Sequence, residues 1–179
     1  CYREFVMLFQ EMFGFNKEYR IQMKISGQFH TGFIVDNLEK SLSFYVDILK
    51  FKIERGPLVL SGEWISDVVG EKNVKMKQAH VGLGDGHSIE LIEYIFPKTT
   101  RKQTHEYVYT QGASHCAFIV DDLLAWYEYL KSKEVKIISK KRPYMRQAEY
   151  PYARYALYIE DYDGNVIEMV ERSPKPIGS

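Results

Sequence analysis

The sequence predicts an α+β protein made of two tandem βαβββ modules. The prediction rests on two segments that occur twice in the same order. Residues 30–38 (HTGFIVDNL) match residues 115–123 (HCAFIVDDL) at six of nine positions. Residues 85–93 (DGHSIELIE) match residues 163–171 (DGNVIEMVE) at five of nine positions. Matched segments in two halves of similar length indicate a duplicated module.

The first module begins with a strand rich in Phe, Ile and Val. A helix follows, because Asp36-Asn37 supplies a cap and Leu38, Leu42, Tyr45 and Leu49 recur at helical spacing. Three further strands come next, the last two joined by a Gly-Asp-Gly turn typical of a hairpin. The predicted elements are a strand at 28–35, a helix at 38–49, and strands near 51–60, 75–83 and 87–95.

The second module repeats this order, and an Asp-Tyr-Asp-Gly-Asn turn takes the place of the Gly-Asp-Gly turn. Its predicted elements are a strand at 113–120, a helix at 122–133, and strands near 135–139, 153–160 and 165–171. Strands that follow one another through short turns favour largely antiparallel sheets. The chain then divides into an N-terminal helical extension at 1–26 with an amphipathic helix at 2–16, a first module at 27–96, a linker at 97–112, a second module at 113–172 and a C-terminal tail at 173–179.

Composition narrows the function classes. The 24 Lys and Arg residues balance the 24 Asp and Glu residues, so the sequence gives no reason to expect nucleic-acid binding or a basic membrane anchor. No apolar run is long enough to cross a membrane. The two cysteines form no CxxC metal motif and predict no disulfide framework, and we expect a reducing cytoplasm.

Four candidate metal ligands come from the repeat. Strand alternation places His30 and His115 at equivalent positions of the two first strands, and Glu90 and Glu168 at equivalent positions of the two last strands. A lone histidine in a strand is usually a core residue, and a lone glutamate usually faces solvent. The recurrence of both types favours metal ligation, since imidazole and carboxylate together suit a divalent transition metal.

Three further residues of the predicted strands are not expected to bind the metal. Glu93 and Glu171 lie three positions beyond the candidate ligands and face the opposite side, so we expect surface or rim residues there. His80 has no counterpart in the second module, and we expect it to line the pocket at most, without binding the metal.

Four motifs resemble the vicinal oxygen chelate superfamily: residues 30–36 (HTGFIVD), 38–45 (LEKSLSFY), 112–115 (GASH) and 161–168 (DYDGNVIE). The resemblance covers about residues 27–172. It implies that the paired modules curl into an open, barrel-like cup around one metal ion. Members of that superfamily bind the metal through one residue on the first strand and one on the last strand of each module. By motif match, the metal ligands are His30, Glu90, His115 and Glu168.

A site of two histidines and two glutamates resembles glyoxalase I. The resemblance implies a metal-dependent lyase or isomerase that moves a proton next to a metal-chelated carbonyl of a small substrate, such as a thiol conjugate. Glu168 would be the catalytic base and Glu90 its counterpart. The expected cofactor is one divalent ion, nickel, cobalt, zinc or manganese, with iron disfavoured. The expected partners are a small-molecule substrate and a second copy of the chain in a homodimer.

Three alternatives remain open. Residues 81–86 and 89–93 resemble methylmalonyl-CoA epimerase, which is also an isomerase that moves a proton next to a carbonyl. An extradiol-type dioxygenase and a non-catalytic small-molecule binding protein of the antibiotic-resistance type are further members. For an anionic substrate, Arg142, Arg146 and Arg154 are candidate anchors, although a solvated basic loop has the same composition.

Overall fold

The computed structural model describes residues 24–100, 108–140, 142–143 and 154–172. The predicted helix at 2–16, the tail at 173–179 and Arg146 lie outside the described residues. No helix within the described ranges is both long enough and apolar enough to cross a membrane.

The described residues form the following elements in chain order: β1 (His30–Ile34), α1 (Leu38–Leu42) continued by a π-helix (Ser43–Ile48), β2 (Lys52–Ser61), α2 (Glu63–Val69), β3 (Lys75–Gly82), β4 (Ser88–Phe96), β5 (His115–Val120), α3 (Leu123–Ser132), β6 (Tyr155–Glu160) and β7 (Val166–Glu171).

The strands form two sheets that follow the predicted duplication. The first has the order β1-β4-β3-β2 and the second the order β5-β7-β6. In each sheet the first strand of the module runs parallel to its last strand, while the neighbouring pairs are antiparallel. The predicted α+β class is therefore confirmed, and the first and last strands of each module are neighbours in space.

The predicted helix at 38–49 forms in two parts. Asn37 caps its start, since its side-chain oxygen accepts a hydrogen bond from the backbone N–H of Lys40 at 2.8 Å. The helix then widens to a π-helix, which ends where Leu49 N–H donates to the carbonyl of Phe44 at 3.0 Å. Phe44 and Tyr45 are buried on this segment, so the widened turn still presents an apolar face to the core.

Two elements differ from the prediction. Helix α2 lies between β2 and β3, where no element was predicted, and Gly70 ends it in the left-handed conformation at φ 78°. The predicted strand near 135–139 is reduced to an isolated bridge between Ile137 and Ile159. Within the described ranges the second sheet consequently has three strands, because this segment pairs at one residue instead of along a ladder.

One hydrophobic core joins the two modules. It contains Phe33 and Leu91 from the first sheet together with Ile167 and Met169 from the second. The rings of Phe51 and Phe118 meet edge to face at a centroid distance of 4.8 Å across the modules.

A buried polar contact also crosses between the modules, where the Tyr45 hydroxyl donates to a carboxylate oxygen of Asp161 at 2.9 Å. Burial raises the pKa of Tyr45 well above its ordinary value, so the phenol stays protonated and can donate.

Candidate metal centre

The first His–Glu pair lies on neighbouring strands of the first sheet. On β1 and β4, Gly32 faces Glu90 in register and His30 faces Ser88, which puts the imidazole diagonally beside the carboxylate. His30 Nε2 lies 3.0 Å from Glu90 Oε2. The side chains are 31% and 12% exposed, so the histidine opens to solvent while the carboxylate is mostly enclosed.

The second pair repeats this geometry on β5 and β7. Ala117 faces Glu168 in register, and His115 Nε2 lies 3.2 Å from Glu168 Oε2. These side chains are more open, at 45% and 23% exposure. The expected sharing of a face by histidine and glutamate is confirmed in both modules, because the parallel pairing sets the same register twice.

His80 joins the first pair, which the sequence analysis did not predict. It is the cross-strand partner of Glu90, and its Nε2 lies 3.6 Å from Glu90 Oε1. Its Nδ1 lies 3.0 Å from the hydroxyl of Ser88. Burial lowers the pKa of His80, which favours the neutral imidazole that a metal ion requires.

The position of the hairpin turn in the sequence could have predicted that residues 80 and 90 face each other. Residues 80 and 90 are equidistant from Asp85 at the centre of the turn between β3 and β4. A tight hairpin turn fixes which residues face each other across it.

One group of three residues could hold a metal ion within the part of the chain that the structure describes. Ligand atoms of His30, His80 and Glu90 all lie within 4.8 Å of one another. His30 Nδ1 is buried without a hydrogen-bond partner among the described residues. Nitrogen and carboxylate donors in this proportion fit a divalent transition metal. His115 and Glu168 do not join the group within the single chain, so the predicted four-residue set stays a prediction.

The face of each sheet that carries the histidine and glutamate, called here the His–Glu face, is open in the single chain. On β1, Phe33 is 7% exposed whereas its neighbour Ile34 is 44% exposed. On β5, Ile119 is 57% exposed, and it lies on the same face as His115. Each module therefore turns its opposite face into the shared core and leaves its His–Glu face available to another surface.

The second repeated glutamate pair has a structural role, so the expectation of surface or rim residues was wrong. A carboxylate oxygen of Glu93 accepts a hydrogen bond from the backbone N–H of Leu38 at 2.8 Å. Glu171 does the same for Leu123 at 2.9 Å and is 9% exposed. Each glutamate thereby satisfies an N–H group at the start of its module's helix, where a negative charge is favourable.

The candidate anchor arginines lie in different surroundings. Arg142 Nε contacts an oxygen of Glu128 at 3.3 Å, with both side chains more than half exposed. Arg154 Nη1 lies 3.5 Å from Glu171 Oε1, on the side opposite Glu168.

A further arginine, Arg55, was not among the predicted anchors. It faces His80 in register across β2 and β3, and its guanidinium stacks over the Phe29 ring at 5.6 Å. It places a positive charge beside the first His–Glu pair.

The fold has two similar modules, each with a histidine on its first strand and a glutamate on its last strand. Comparison with known proteins identifies the class of protein to which it belongs. Residues 27–169 match the family model described as the Glyoxalase/Bleomycin resistance protein/Dioxygenase superfamily. The chain belongs to this superfamily. It is 30% identical over 146 residues to a probable lactoylglutathione lyase of Synechocystis sp., covering 82% of this chain and 95% of that protein.

Two solved structures share the fold. A glyoxalase family protein from Bacillus cereus superposes with a TM-score of 0.72 at 21% identity, covering 86% of this chain and 99% of that one. The trypanothione-dependent glyoxalase I of Leishmania major gives a TM-score of 0.57 at 19% identity, covering 82% and 87%. These similarities support the cup-like arrangement that the motifs implied.

Proposed function

We propose that this protein is a metal-dependent lyase or isomerase of the glyoxalase type, which moves a proton next to a carbonyl of a small substrate. The observation that carries the proposal is the duplicated His–Glu pair, present at 3.0 Å in one module and 3.2 Å in the other. The relative named as a probable lactoylglutathione lyase supports the same reaction class.

In this proposal His30, Glu90, His115 and Glu168 hold one divalent ion, and nickel, cobalt, zinc or manganese suits the donor set. The bound ion would supply Lewis acidity that makes the C–H next to the carbonyl more acidic. Glu168 then carries the proton as general base, because its side chain is more exposed than that of Glu90 and has more room to move. Glu90, enclosed and flanked by two imidazoles, stays in place as the ligand.

A second copy of the chain completes the site in this proposal. The single chain leaves the two His–Glu faces open and keeps His115 and Glu168 apart from the group of His30, His80 and Glu90. A symmetric dimer would bring the first module of one protomer against the second module of the other. Two equivalent four-residue sites would result, each containing residues of both chains.

The substrate would be anionic in this proposal. Arg55 stands beside the first His–Glu pair, and it is better placed for a carboxylate or phosphate than Arg154, whose guanidinium contacts Glu171. Arg142 and Arg146 stay candidate anchors in this proposal.

The first experiment compares metal content and turnover of the wild type with those of Glu168→Gln. The tag-free wild type should hold about one divalent ion per chain and should turn over a methylglyoxal–thiol hemithioacetal. Glu168→Gln should lower kcat by about 10²–10⁴-fold, because a positioned base contributes that much. Glu128→Gln, at an exposed glutamate on α3, is the matched control. An unchanged kcat in Glu168→Gln would contradict the proposed role.

The bound metal and the substrate turned over by the same purified protein distinguish the reaction types. A nickel, cobalt, zinc or manganese protein active on the hemithioacetal supports the lyase. Activity on an acyl-CoA epimer instead would identify the epimerase-like isomerase. Iron together with oxygen-dependent ring cleavage would identify the dioxygenase. A wild type that takes up none of these metals would favour the non-catalytic binding protein.

Mixing two inactive variants tests the shared site. His30→Ala damages the first module and His115→Ala damages the second. In a mixed dimer with shared sites, one site combines the two altered modules and contains both substitutions. The other site combines the two unaltered modules and contains all four ligands. Co-expressed variants should therefore recover up to half the activity of a wild-type dimer. Sites formed within single chains would recover none, and that result would overturn the dimeric site.

A further inference from the structure

The geometry points to His80 as a third protein ligand of the first module, so that His30, His80 and Glu90 hold the metal ion within one chain before the second His–Glu pair joins. This inference rests on the proposed function and deepens it. The sequence repeat predicts two ligands per module, and the fold supplies a third from the strand between β2 and β4.

The distances from Glu90 to the two histidines match those between donor atoms that share an ion, and all three ligand atoms lie within 4.8 Å of one another. Metal–ligand distances of about 2.0–2.2 Å put neighbouring donors about 3 Å apart and opposite donors about 4 Å apart. His30 Nε2 lies 3.0 Å from one oxygen of Glu90, and His80 Nε2 lies 3.6 Å from the other. The latter distance is too long for a hydrogen bond but suits two ligands of one ion.

The surroundings of His80 hold its ring in place. His80 is 4% exposed, and its Nδ1 lies 3.0 Å from the Ser88 hydroxyl. When Nδ1–H donates to that hydroxyl, Nε2 keeps a lone pair that is available to an ion held between His80 and Glu90. A partner on the remote nitrogen is the usual way in which a protein orients a ligating histidine.

The second module has a different residue at the equivalent place. Tyr158 faces Glu168 in register just as His80 faces Glu90. The Tyr158 ring lies 5.1 Å from the His115 ring, close to the 5.3 Å between the rings of His80 and His30. A phenol is a weaker ligand than an imidazole for late divalent metals. The first module thus anchors the ion with three donors, and the second adds two, one of which is the mobile base Glu168.

This asymmetry has a consequence for turnover. With His80 as a ligand, five protein donors would hold the ion and would leave less room for a substrate that binds through two adjacent oxygens. Glu168, the more exposed of the two carboxylates, would then have to make way for the substrate and would be free to accept the proton.

The test counts nitrogen ligands on a Cu²⁺ probe in His115→Ala protein by pulsed electron paramagnetic resonance. His115 is exposed, so its replacement should leave the fold intact. Two imidazole nitrogens, from His30 and His80, are expected. A single nitrogen, or failure to bind Cu²⁺ at all, would overturn the inference.

Co²⁺ titration of His80→Phe provides a second measurement. Affinity should fall at least tenfold relative to wild type, and the visible absorption of bound Co²⁺ should shift as a nitrogen ligand is lost. His87→Gln is the matched control, since His87 contacts Thr31 and lies outside the ligating group. Unchanged Co²⁺ affinity and spectrum in His80→Phe would contradict ligation.

The nitrogen count in His115→Ala does not depend on whether a His80 variant folds. It is also independent of catalysis by Glu168. If Glu168→Gln keeps full kcat while the count is two, the proposed function fails and the His80 ligand stands. If Glu168→Gln loses kcat while the count is one, the proposed function stands and His80 is not a ligand.

Discussion

The two glutamates of each Glu-x-x-Glu motif make different contacts because they lie on opposite faces of the strand. Glu90 and Glu168 share a face with the histidines and lie 3.0 and 3.2 Å from them. Glu93 and Glu171 lie on the other face, where they accept hydrogen bonds from the first N–H groups of the helices. A spacing of three along a strand thus separates a carboxylate beside a histidine from one that accepts a hydrogen bond at a helix start.

Removing the structural carboxylate should destabilise the second module. In Glu171→Ala the backbone N–H of Leu123 loses its acceptor in a buried place, which costs about 1–3 kcal/mol. Urea denaturation measures the loss. Glu171→Gln keeps an acceptor oxygen and should lose less, and Glu128→Ala, at an exposed position, is the control. The prediction is wrong if Glu171→Ala is as stable as Glu128→Ala.

At the scale of elements, the first module contains more than its duplicated core. Helix α2 lies between two glycines, Gly62 and Gly70, and buries Ile65. Ile65 joins Val74 and Met76 in a small second hydrophobic cluster. The Ser66 hydroxyl also accepts the backbone N–H of Val74 at 3.0 Å. These contacts attach α2 to the start of β3, the strand that carries His80.

The end of α2 depends on a residue that tolerates the left-handed conformation. Gly70 has φ 78°, and a side chain there costs about 1–2 kcal/mol. We expect Gly70→Ala to lower the free energy of unfolding by that amount, measured by urea denaturation. Gly27→Ala is the control, because a Cβ at Gly27 meets nothing within 4 Å and needs no positive φ. Equal losses in both variants, or none in Gly70→Ala, would contradict the explanation.

At the scale of the whole molecule, the two modules share one core and turn their His–Glu faces outward. The Phe51–Phe118 contact and the Tyr45–Asp161 hydrogen bond both cross between modules. The chain can therefore bury its main apolar surface by itself. In the proposed dimer, by contrast, the four-residue site would form only when a second copy joins the first.

A substitution in the shared core should affect both modules together. Phe51→Ala removes a ring that is 7% exposed, and such changes cost about 3–5 kcal/mol. Urea unfolding followed by tryptophan fluorescence and by circular dichroism should give one coincident transition at lower urea. Leu58→Ala, 44% exposed on β2, should cost far less. Two separate transitions would show that the modules fold independently.

Much of this architecture could be predicted from the amino-acid order alone. The duplicated segments predicted the α+β class and two similar modules. Strand alternation placed His30 and Glu90 on one face, and His115 and Glu168 on another. These features are local, because a strand's period of two and a repeat are both properties of consecutive residues.

Other features were decided only when the chain folded. The pairing of β3 with β4 placed His80 beside Glu90. The packing of each helix start against the last strand of its module allowed Glu93 and Glu171 to accept hydrogen bonds there. The packing of the modules left the two His–Glu faces apart. Contacts between distant segments depend on how whole elements pack, and the pattern along any one strand does not contain that information.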